Sequence, residues 1–225
     1  MKPKNHDTAA AANARDAAGP PGGSGAYWER RYRKGRSSGP GSYRRLAQFK
    51  AETMNRLVAD ERIASVIEFG CGDGNQLALM AYPNYCGVDV SATAIETCRR
   101  RFAGDPCKRF TLRDDLDESL RFDCAVSLDV IFHLVEDAVF DAYMRDLFRF
   151  ATRCVVIYAS DMTDAAFQNR HGETPAPHVR HRRFTDWIAM HAPRWKPLRF
   201  VANAYPYSPA DPENTSFADF HVFAP

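Results

Sequence analysis

The sequence lacks the features that mark membrane and secreted proteins. Among its 225 residues, no apolar run approaches the roughly 20 residues that a membrane-spanning helix needs. The first residues include two lysines, but Ala, Asn, Arg and Asp follow them instead of the apolar stretch of a secretory signal. We therefore expect a cytoplasmic protein with no membrane partner.

Motifs of several ligand-binding classes are also missing. The six cysteines form no Cys-x-x-Cys pair, and several fall in segments that we interpret as buried strands, which is typical of reduced structural thiols. No Gly-Lys-Ser or Gly-Lys-Thr sequence is present, so the chain has no phosphate-binding P-loop of that type.

Charge is nearly balanced over the whole chain. Thirty Lys and Arg against 28 Asp and Glu give a formal net charge of +2. Nucleic-acid binding usually requires a strongly basic face, so we expect no nucleic-acid partner. One segment departs from this balance, because residues 29–36 read ERRYRKGR. Two interpretations stay open for it, a solvated helix surface and a segment that binds an anionic substrate or cofactor.

The composition divides the chain into three parts. Residues 1–25 are rich in Ala, Gly and Pro, have little to pack, and are predicted to be a disordered arm. Residues 26–62 contain two helical patterns separated by a turn-rich loop, and we interpret them as a helical cap. Residues 63–225 form the core, in which short apolar strands alternate with helices.

This alternation predicts an α/β fold of the Rossmann type. Two strands separated by only ten Pro-containing residues leave no room for a crossover helix, so the last pair is expected to be antiparallel. The sheet is therefore predicted to have seven strands and to be mostly parallel. The predicted strands are 65–69, 85–89, 109–113, 122–128, 153–159, 196–205 and 216–224, and the predicted helices after the cap are 75–81, 91–102, 136–150 and 185–191.

A glycine-rich turn follows the first strand of the core. Gly70, Gly72 and Gly74 are spaced GxGxG, which lets the backbone approach a ligand closely. The dinucleotide fingerprint would need its third glycine where Asn75 stands, so a nicotinamide cofactor is disfavoured. The second strand ends at Asp89, where a carboxylate can accept hydrogen bonds from both hydroxyls of a ribose.

These segments resemble class I S-adenosylmethionine-dependent methyltransferases, and among them the bacterial enzymes that act on small molecules. VIEFGCGDGNQL at 66–77 looks like the first motif of that family, and GVDVSATAIE at 87–96 looks like the second. FTLRD at 110–114 and SLDVIFHLVED at 127–137 match the later motifs. YWERRYRKGRSSGPGSYRRLAQFKAE at 27–52 resembles the amino-terminal cap that closes over the cofactor.

The resemblance implies S-adenosylmethionine as the cofactor and assigns its contacts. Glu68, Gly70, Gly72 and Asp73 would hold the amino-acid moiety. Asp89 would bind the ribose, Asp114 the adenine edge, and Leu128 with Asp129 would form the floor near the sulfur. Aromatic residues of the cap would stack on adenine or substrate, or simply pack the first helix. The full set of expected cofactor-binding residues is Tyr27, Trp28, Tyr32, Glu68, Gly70, Cys71, Gly72, Asp73, Asn75, Asp89, Val90, Asp114, Leu128 and Asp129.

Methyl transfer to a protonated acceptor requires a base, and His133 is one candidate because it lies just beyond the fourth strand. His178 and His181 are the other candidates and lie in the polar segment 160–184, which we interpret as a loop. Metal-dependent relatives carry a carboxylate where Phe132 stands, so we expect no metal. Residues His171, Arg180 and Arg183 of the same segment are expected to bind the acceptor, whose anionic group an arginine could grip.

The sequence therefore predicts methyl transfer to an oxygen or nitrogen of a small-molecule acceptor, a metabolite or sugar-like compound that carries an anionic group if the arginines bind it. Two alternatives remain: an RNA or protein methyltransferase, and a cofactor-binding partner protein without catalysis. A homodimer is left open.

Overall fold

The strands predicted in the core form one seven-stranded sheet in the computed structural model, which describes residues 20–225. Their order across the sheet is β3-β2-β1-β4-β5-β7-β6. The strands are β1 Ser65–Phe69, β2 Asn84–Asp89, β3 Lys108–Leu112, β4 Phe122–Leu128, β5 Ala151–Ala159, β6 Lys196–Val201 and β7 Asp219–Ala224.

Strands β1 to β5 pair in parallel, whereas β7 pairs antiparallel with both β5 and β6. The predicted fold class, a mostly parallel sheet with an antiparallel last pair, is confirmed. The order reverses between β1 and β4, and in open α/β sheets a ligand crevice forms where it does so, beyond the carboxyl ends of the strands. This position is where the glycine-rich turn lies.

Six helices cover the sheet and its upper edge within the described residues: α1 Gly23–Arg33, α2 Arg44–Asp60, α3 Ala92–Arg101, α4 Asp137–Phe150, α5 Asp164–His171 and α6 Phe184–His191. The central strands are buried on both faces, and Val155, Val156 and Ile157 of β5 have no exposed surface. None of these helices is long and apolar enough to cross a membrane.

The cap begins earlier than predicted. Helix α1 starts at Gly23, inside the segment 1–25 that was expected to be disordered, and residues 1–19 of that segment lie outside the described residues. The reason is a tertiary contact that the composition does not reveal. The backbone N–H and the hydroxyl of Ser24 both donate to the Glu136 carboxylate, next to the first turn of α4.

A second carboxylate fixes α1 to the core from the other side. Glu29 accepts hydrogen bonds from the hydroxyls of Ser91 (2.6 Å) and Thr93 (2.7 Å) at the start of α3. The positive end of a helix dipole favours a carboxylate there. Helix α1 is thus held between the beginnings of α3 and α4, across the carboxyl edge of the sheet.

The last two strands are shorter than the predicted 196–205 and 216–224, and two other local predictions were wrong. Residues 75–81 form only a single 3-10 turn, Leu77–Leu79, because side chains of α2 take up the local backbone groups and Pro83 follows closely. Asn55 bonds both the Leu79 carbonyl (3.0 Å) and the Ala81 N–H (2.7 Å). The segment predicted as a polar loop, 160–184, contains helix α5, whose start is capped by the Thr163 hydroxyl.

A buried ion pair joins the cap to the sheet. Lys50 lies on the apolar face of α2, its side chain has no exposed surface, and its ammonium donates to the Asp129 carboxylate just after β4. Asp129 itself has a left-handed backbone (φ 59°), which is uncommon outside glycine. A buried charge is tolerated only when it is paired, so each member depends on the other.

We expect Lys50→Met to lower the free energy of unfolding by about 3 kcal/mol, because it leaves the Asp129 carboxylate largely buried without its partner. Urea denaturation followed by circular dichroism measures the change. Arg56→Met, on the exposed side of the same helix, is the control and should change stability little. The double variant Lys50→Met/Asp129→Asn should recover most of the loss. A double variant that is less stable than Lys50→Met would contradict the pairing.

Candidate functional site

The glycine-rich turn at the end of β1 is packed so tightly that only glycine fits. Gly70 and Gly72 both have left-handed backbones, with φ of 80° and 58°. A Cβ on Gly70 would collide with the Val130 side chain, and one on Gly72 would collide with the Ser38 hydroxyl of the cap. The turn therefore brings bare backbone to the space between the sheet edge and the cap.

A cavity of about 640 Å³ lies at this place, between the cap and the carboxyl ends of β1, β2 and β4. Most of the residues that the resemblance assigns to the cofactor line it together: Trp28, Tyr32, Glu68, Gly70, Cys71, Gly72, Asp73, Asp89, Val90, Asp114, Leu128 and Asp129. The same cavity is lined by His133. Tyr27 and Asn75 are outside the lining.

Asp89 is buried at the end of β2 and is held by backbone donors. Its two carboxylate oxygens accept from the N–H groups of Gly72 (3.0 Å) and Ser91 (2.9 Å). Burial raises the pKa of Asp89, and these hydrogen bonds oppose the rise. Each carboxylate oxygen can accept more than one hydrogen bond, so the group can still receive two ribose hydroxyls.

Glu68 is another buried carboxylic acid of the lining. It is almost fully buried at β1 and accepts from the Tyr85 hydroxyl at 2.7 Å. Burial raises the pKa of Glu68 to about 7, partly offset by this hydrogen bond and by the nearby charge of Lys50. An acid of this pKa exchanges its charge near neutral pH, which is typical of functional sites.

Asp73 fastens the cap to the glycine turn. Its carboxylate accepts from the Ser38 N–H (2.8 Å) and the Tyr43 hydroxyl (2.8 Å), while its own N–H donates to the Ser38 hydroxyl (3.0 Å). The Asp73 carboxylate, which the resemblance assigns to the amino-acid moiety of the cofactor, thus already accepts hydrogen bonds from the cap. The cap loop, Ser38 and Ser42 included, becomes part of the cavity wall, which sequence reasoning did not identify.

His133 is the one proposed base that lines the cavity. Its Nδ1 lies 3.0 Å from the backbone carbonyl oxygen of His178. A carbonyl oxygen only accepts, so Nδ1 carries the proton and Nε2 keeps a free lone pair. Burial lowers the pKa of His133 to about 4, so the ring is neutral at physiological pH.

The other two histidines occupy different surroundings. His178 stacks between Tyr27 (4.9 Å between ring centres) and His133 (5.5 Å), outside the lining. His181 is buried beyond β5, with its Nδ1 2.6 Å from the Ser160 hydroxyl and its ring stacked on Phe167. Neither ring reaches the cavity, so the geometry favours His133 as the base.

The acceptor-binding residues expected in segment 160–184 also lie away from the cavity. Arg180 donates to the Val135 carbonyl (2.9 Å) and pairs with Asp137 (3.1 Å). Arg183 pairs with Asp186 on the surface, and His171 packs against Tyr207. Arg180 and His171 contact residues of other elements, which the sequence could not show, whereas Arg183 pairs with an acid three residues along the chain.

A metal site is not apparent either. Among residues 20–225, no group of three or more His, Cys, Asp or Glu side chains is arranged to hold a metal ion.

Comparison with known proteins identifies the family of this fold and site. A family profile described as "Methyltransferase domain" matches residues 42–196, more than half of the chain. No curated protein sequence matches the chain.

Solved structures share the fold at low sequence identity. The methyltransferase domain of a bacterial Hen1 protein has a TM-score of 0.60 and 20% identity, covering 79% of this chain and 97% of that one. Magnesium protoporphyrin IX methyltransferase from Synechocystis, solved with S-adenosylhomocysteine, has a TM-score of 0.60 and 14% identity, covering 80% and 84%. The N-methyltransferase NodS from Bradyrhizobium japonicum has a TM-score of 0.56 and 16% identity, covering 78% and 87%. With its glycine turn and its profile match, the chain belongs to the class I S-adenosylmethionine-dependent methyltransferases.

Proposed function

We propose that this methyltransferase acts on an oxygen or nitrogen of a small-molecule acceptor and that His133 is its general base. The observation that carries the proposal is one cavity, about 640 Å³ in volume, whose lining includes the glycine turn, Asp89 and His133, the last with its Nδ1 on the His178 carbonyl. Methyl transfer to a protonated nucleophile requires a cofactor site and a base that border the same cavity.

The residues present fit S-adenosylmethionine. Gly70 and Gly72 present backbone without side chains to the cavity, and Asp89 offers a carboxylate at the ribose position. Val90 and Asp114 line the part of the cavity beyond β2 and β3, where the adenine would bind. When bound, this cofactor supplies a methyl group that its sulfonium already makes electrophilic. The protein therefore mainly has to orient the acceptor and remove its proton.

We assign the removal of the acceptor's proton to His133. The His178 carbonyl fixes its tautomer, and the Trp28 ring, 4.9 Å away in an edge-on arrangement, fixes its plane. A neutral imidazole with its Nε2 lone pair free can accept the proton that an attacking hydroxyl or amine loses. Helix α1 covers this reaction space through Ser24, Gly25 and Trp28, which would exclude water from it.

A second candidate function is methylation of RNA. The basic side chains of segment 30–36, which form no ion pair with any of residues 20–225, favour it, since phosphate contacts dominate nucleic-acid affinity. A Hen1 structure described as a small RNA methyltransferase is also among the structural neighbours, at 18% identity. We favour a small-molecule acceptor because the cap covers the cavity and is held there by hydrogen bonds to Asp73, Glu29 and Glu136. A covered cavity suits a small molecule better than an RNA strand.

The cofactor assignment predicts the effect of Asp89→Ala. Loss of charge-assisted hydrogen bonds, worth about 1.5–3 kcal/mol each, should weaken S-adenosylmethionine binding at least tenfold in isothermal titration calorimetry. Asp117→Ala, an exposed acid in the loop before β4, is the control and should bind normally. Equal affinity for Asp89→Ala and the wild type would show that the ribose is bound elsewhere.

The base assignment predicts a split between two histidine variants. His133→Phe keeps an aromatic ring against Trp28 but removes both nitrogens, so turnover should fall about 10²–10⁴-fold while cofactor affinity is retained. His178→Phe preserves the stack and the backbone carbonyl, and its turnover should stay within a few-fold of the wild type. S-adenosylhomocysteine release with an acceptor found by screening gives both rates. A larger loss in His178→Phe than in His133→Phe would overturn the assignment.

A further inference from the structure

The lining of the cavity is acidic and offers no free cation to an acceptor. Its carboxylates come from Glu68, Asp73, Asp89, Asp114, Asp129 and Asp146, and its one cation among the described residues is Arg113. Arg113 already pairs with Asp146 and with Glu118 (3.0 Å). An anionic acceptor would therefore need a cation at the rim.

Arg31 provides such a cation. Its guanidinium carbon lies 5.6 Å from the centre of the Trp28 ring, and that ring lines the cavity beside His133. Nε of Arg31 donates to the Ser37 carbonyl at 2.6 Å, which fixes the plane of the group. Within residues 20–225 neither terminal nitrogen has a hydrogen-bond or ion-pair partner, so both remain available to a ligand.

The charge of Arg31 also acts on both His133 and His178. Burial and then the charge of Arg31 lower the pKa of His178, and Arg31 also contributes to the lowered pKa of His133. The arginine that sequence reasoning selected in the other segment, Arg180, is instead paired to Asp137. Arg31 is thus a cation that lies over the Trp28 ring and has donors left over.

We propose that Arg31 is a specificity-determining residue that binds a carboxylate or phosphate group of a small acceptor at the rim of the cavity. This inference rests on the proposed function. The acceptor lies against Trp28 with its nucleophilic atom toward Nε2 of His133, and its anionic group receives two parallel hydrogen bonds from the guanidinium fork. The exposed neighbours Arg33, Lys34 and Arg36 raise the local positive potential and draw anions toward this rim.

Benzoate and benzamide, which have the same shape but different charge, are the probes. Each is titrated by calorimetry into the full chain saturated with S-adenosylhomocysteine. Benzoate should bind the wild type more tightly than benzamide, and Arg31→Met should weaken benzoate about tenfold or more while leaving benzamide unchanged. Arg30→Met is the matched control, because Arg30 is exposed and bonds the Pro21 carbonyl, and this variant should keep benzoate affinity within twofold.

Three results would overturn the inference: no benzoate binding to the wild type, equal benzoate affinity in Arg31→Met, or benzamide binding as tightly as benzoate. Normal S-adenosylhomocysteine affinity in Arg31→Met shows that the cap is intact. If that affinity falls, Arg31→Lys is used instead of Arg31→Met, because lysine keeps the positive charge but lacks the guanidinium fork. Arg31→Lys should restore the S-adenosylhomocysteine affinity but only part of the benzoate affinity.

An RNA acceptor is a distinguishable outcome. A single-stranded oligouridine would contact the whole basic segment, so Arg30→Met and Arg31→Met would weaken it alike, with a steep dependence on salt. That result would overturn the small-acceptor inference. Failure of S-adenosylhomocysteine to bind the wild type, with benzoate still bound through Arg31, would instead overturn the proposed function.

Discussion

The contact between the cap and the glycine turn is the constraint on which the rest of the site depends. The Asp73 carboxylate, at the glycine turn, accepts hydrogen bonds from Ser38 and Tyr43 of the cap. Gly72 lies so close to Ser38 that no side chain would fit between the turn and the cap. The cavity exists because these backbones meet at one end, while Glu29 and Ser24 fasten α1 at the other. The cap is therefore a wall of the site and not an appendage to it.

Burial tunes the site through opposite effects on acids and bases. Removal from water disfavours the charged form, so it raises the pKa of Glu68 to about 7 and lowers that of His133 to about 4. The two groups lie on β1 and just beyond β4, at the point where the strand order reverses. A neutral imidazole beside a largely acidic cavity suits a cationic cofactor and an acceptor that must give up a proton.

The fold was predictable because its signals are local. Apolar runs marked the five parallel strands to within about two residues, and the short Pro-containing gap indicated the antiparallel pair. Side-chain contacts between distant elements explain the failures. Asn55 of α2 bonds the backbone of segment 75–81, where a helix was predicted. Glu136 accepts a hydrogen bond from Ser24, which lies in a segment with few apolar residues to pack.

The site was predictable only in part, for the same reason. The motifs located Asp89 and His133, but the acceptor arginines were chosen from charge clustering, and Arg180 and Arg183 proved to be paired with nearby acids. The sequence shows Lys50 as a charged residue on the apolar face of α2, between Leu46 and Met54. It does not show that Lys50 pairs with Asp129. Sequence shows which residues carry charge, and the fold decides which charges remain free.

A crystal structure of the full chain with S-adenosylhomocysteine would show whether one cavity holds both the cofactor and the base. We expect ribose hydroxyls on Asp89, adenine beside Val90 and Asp114, and the sulfur facing Nε2 of His133 across a gap that one acceptor atom with its methyl group can fill. A cofactor bound outside the Gly70–Gly74 turn, or a sulfur turned away from His133, would contradict this expectation.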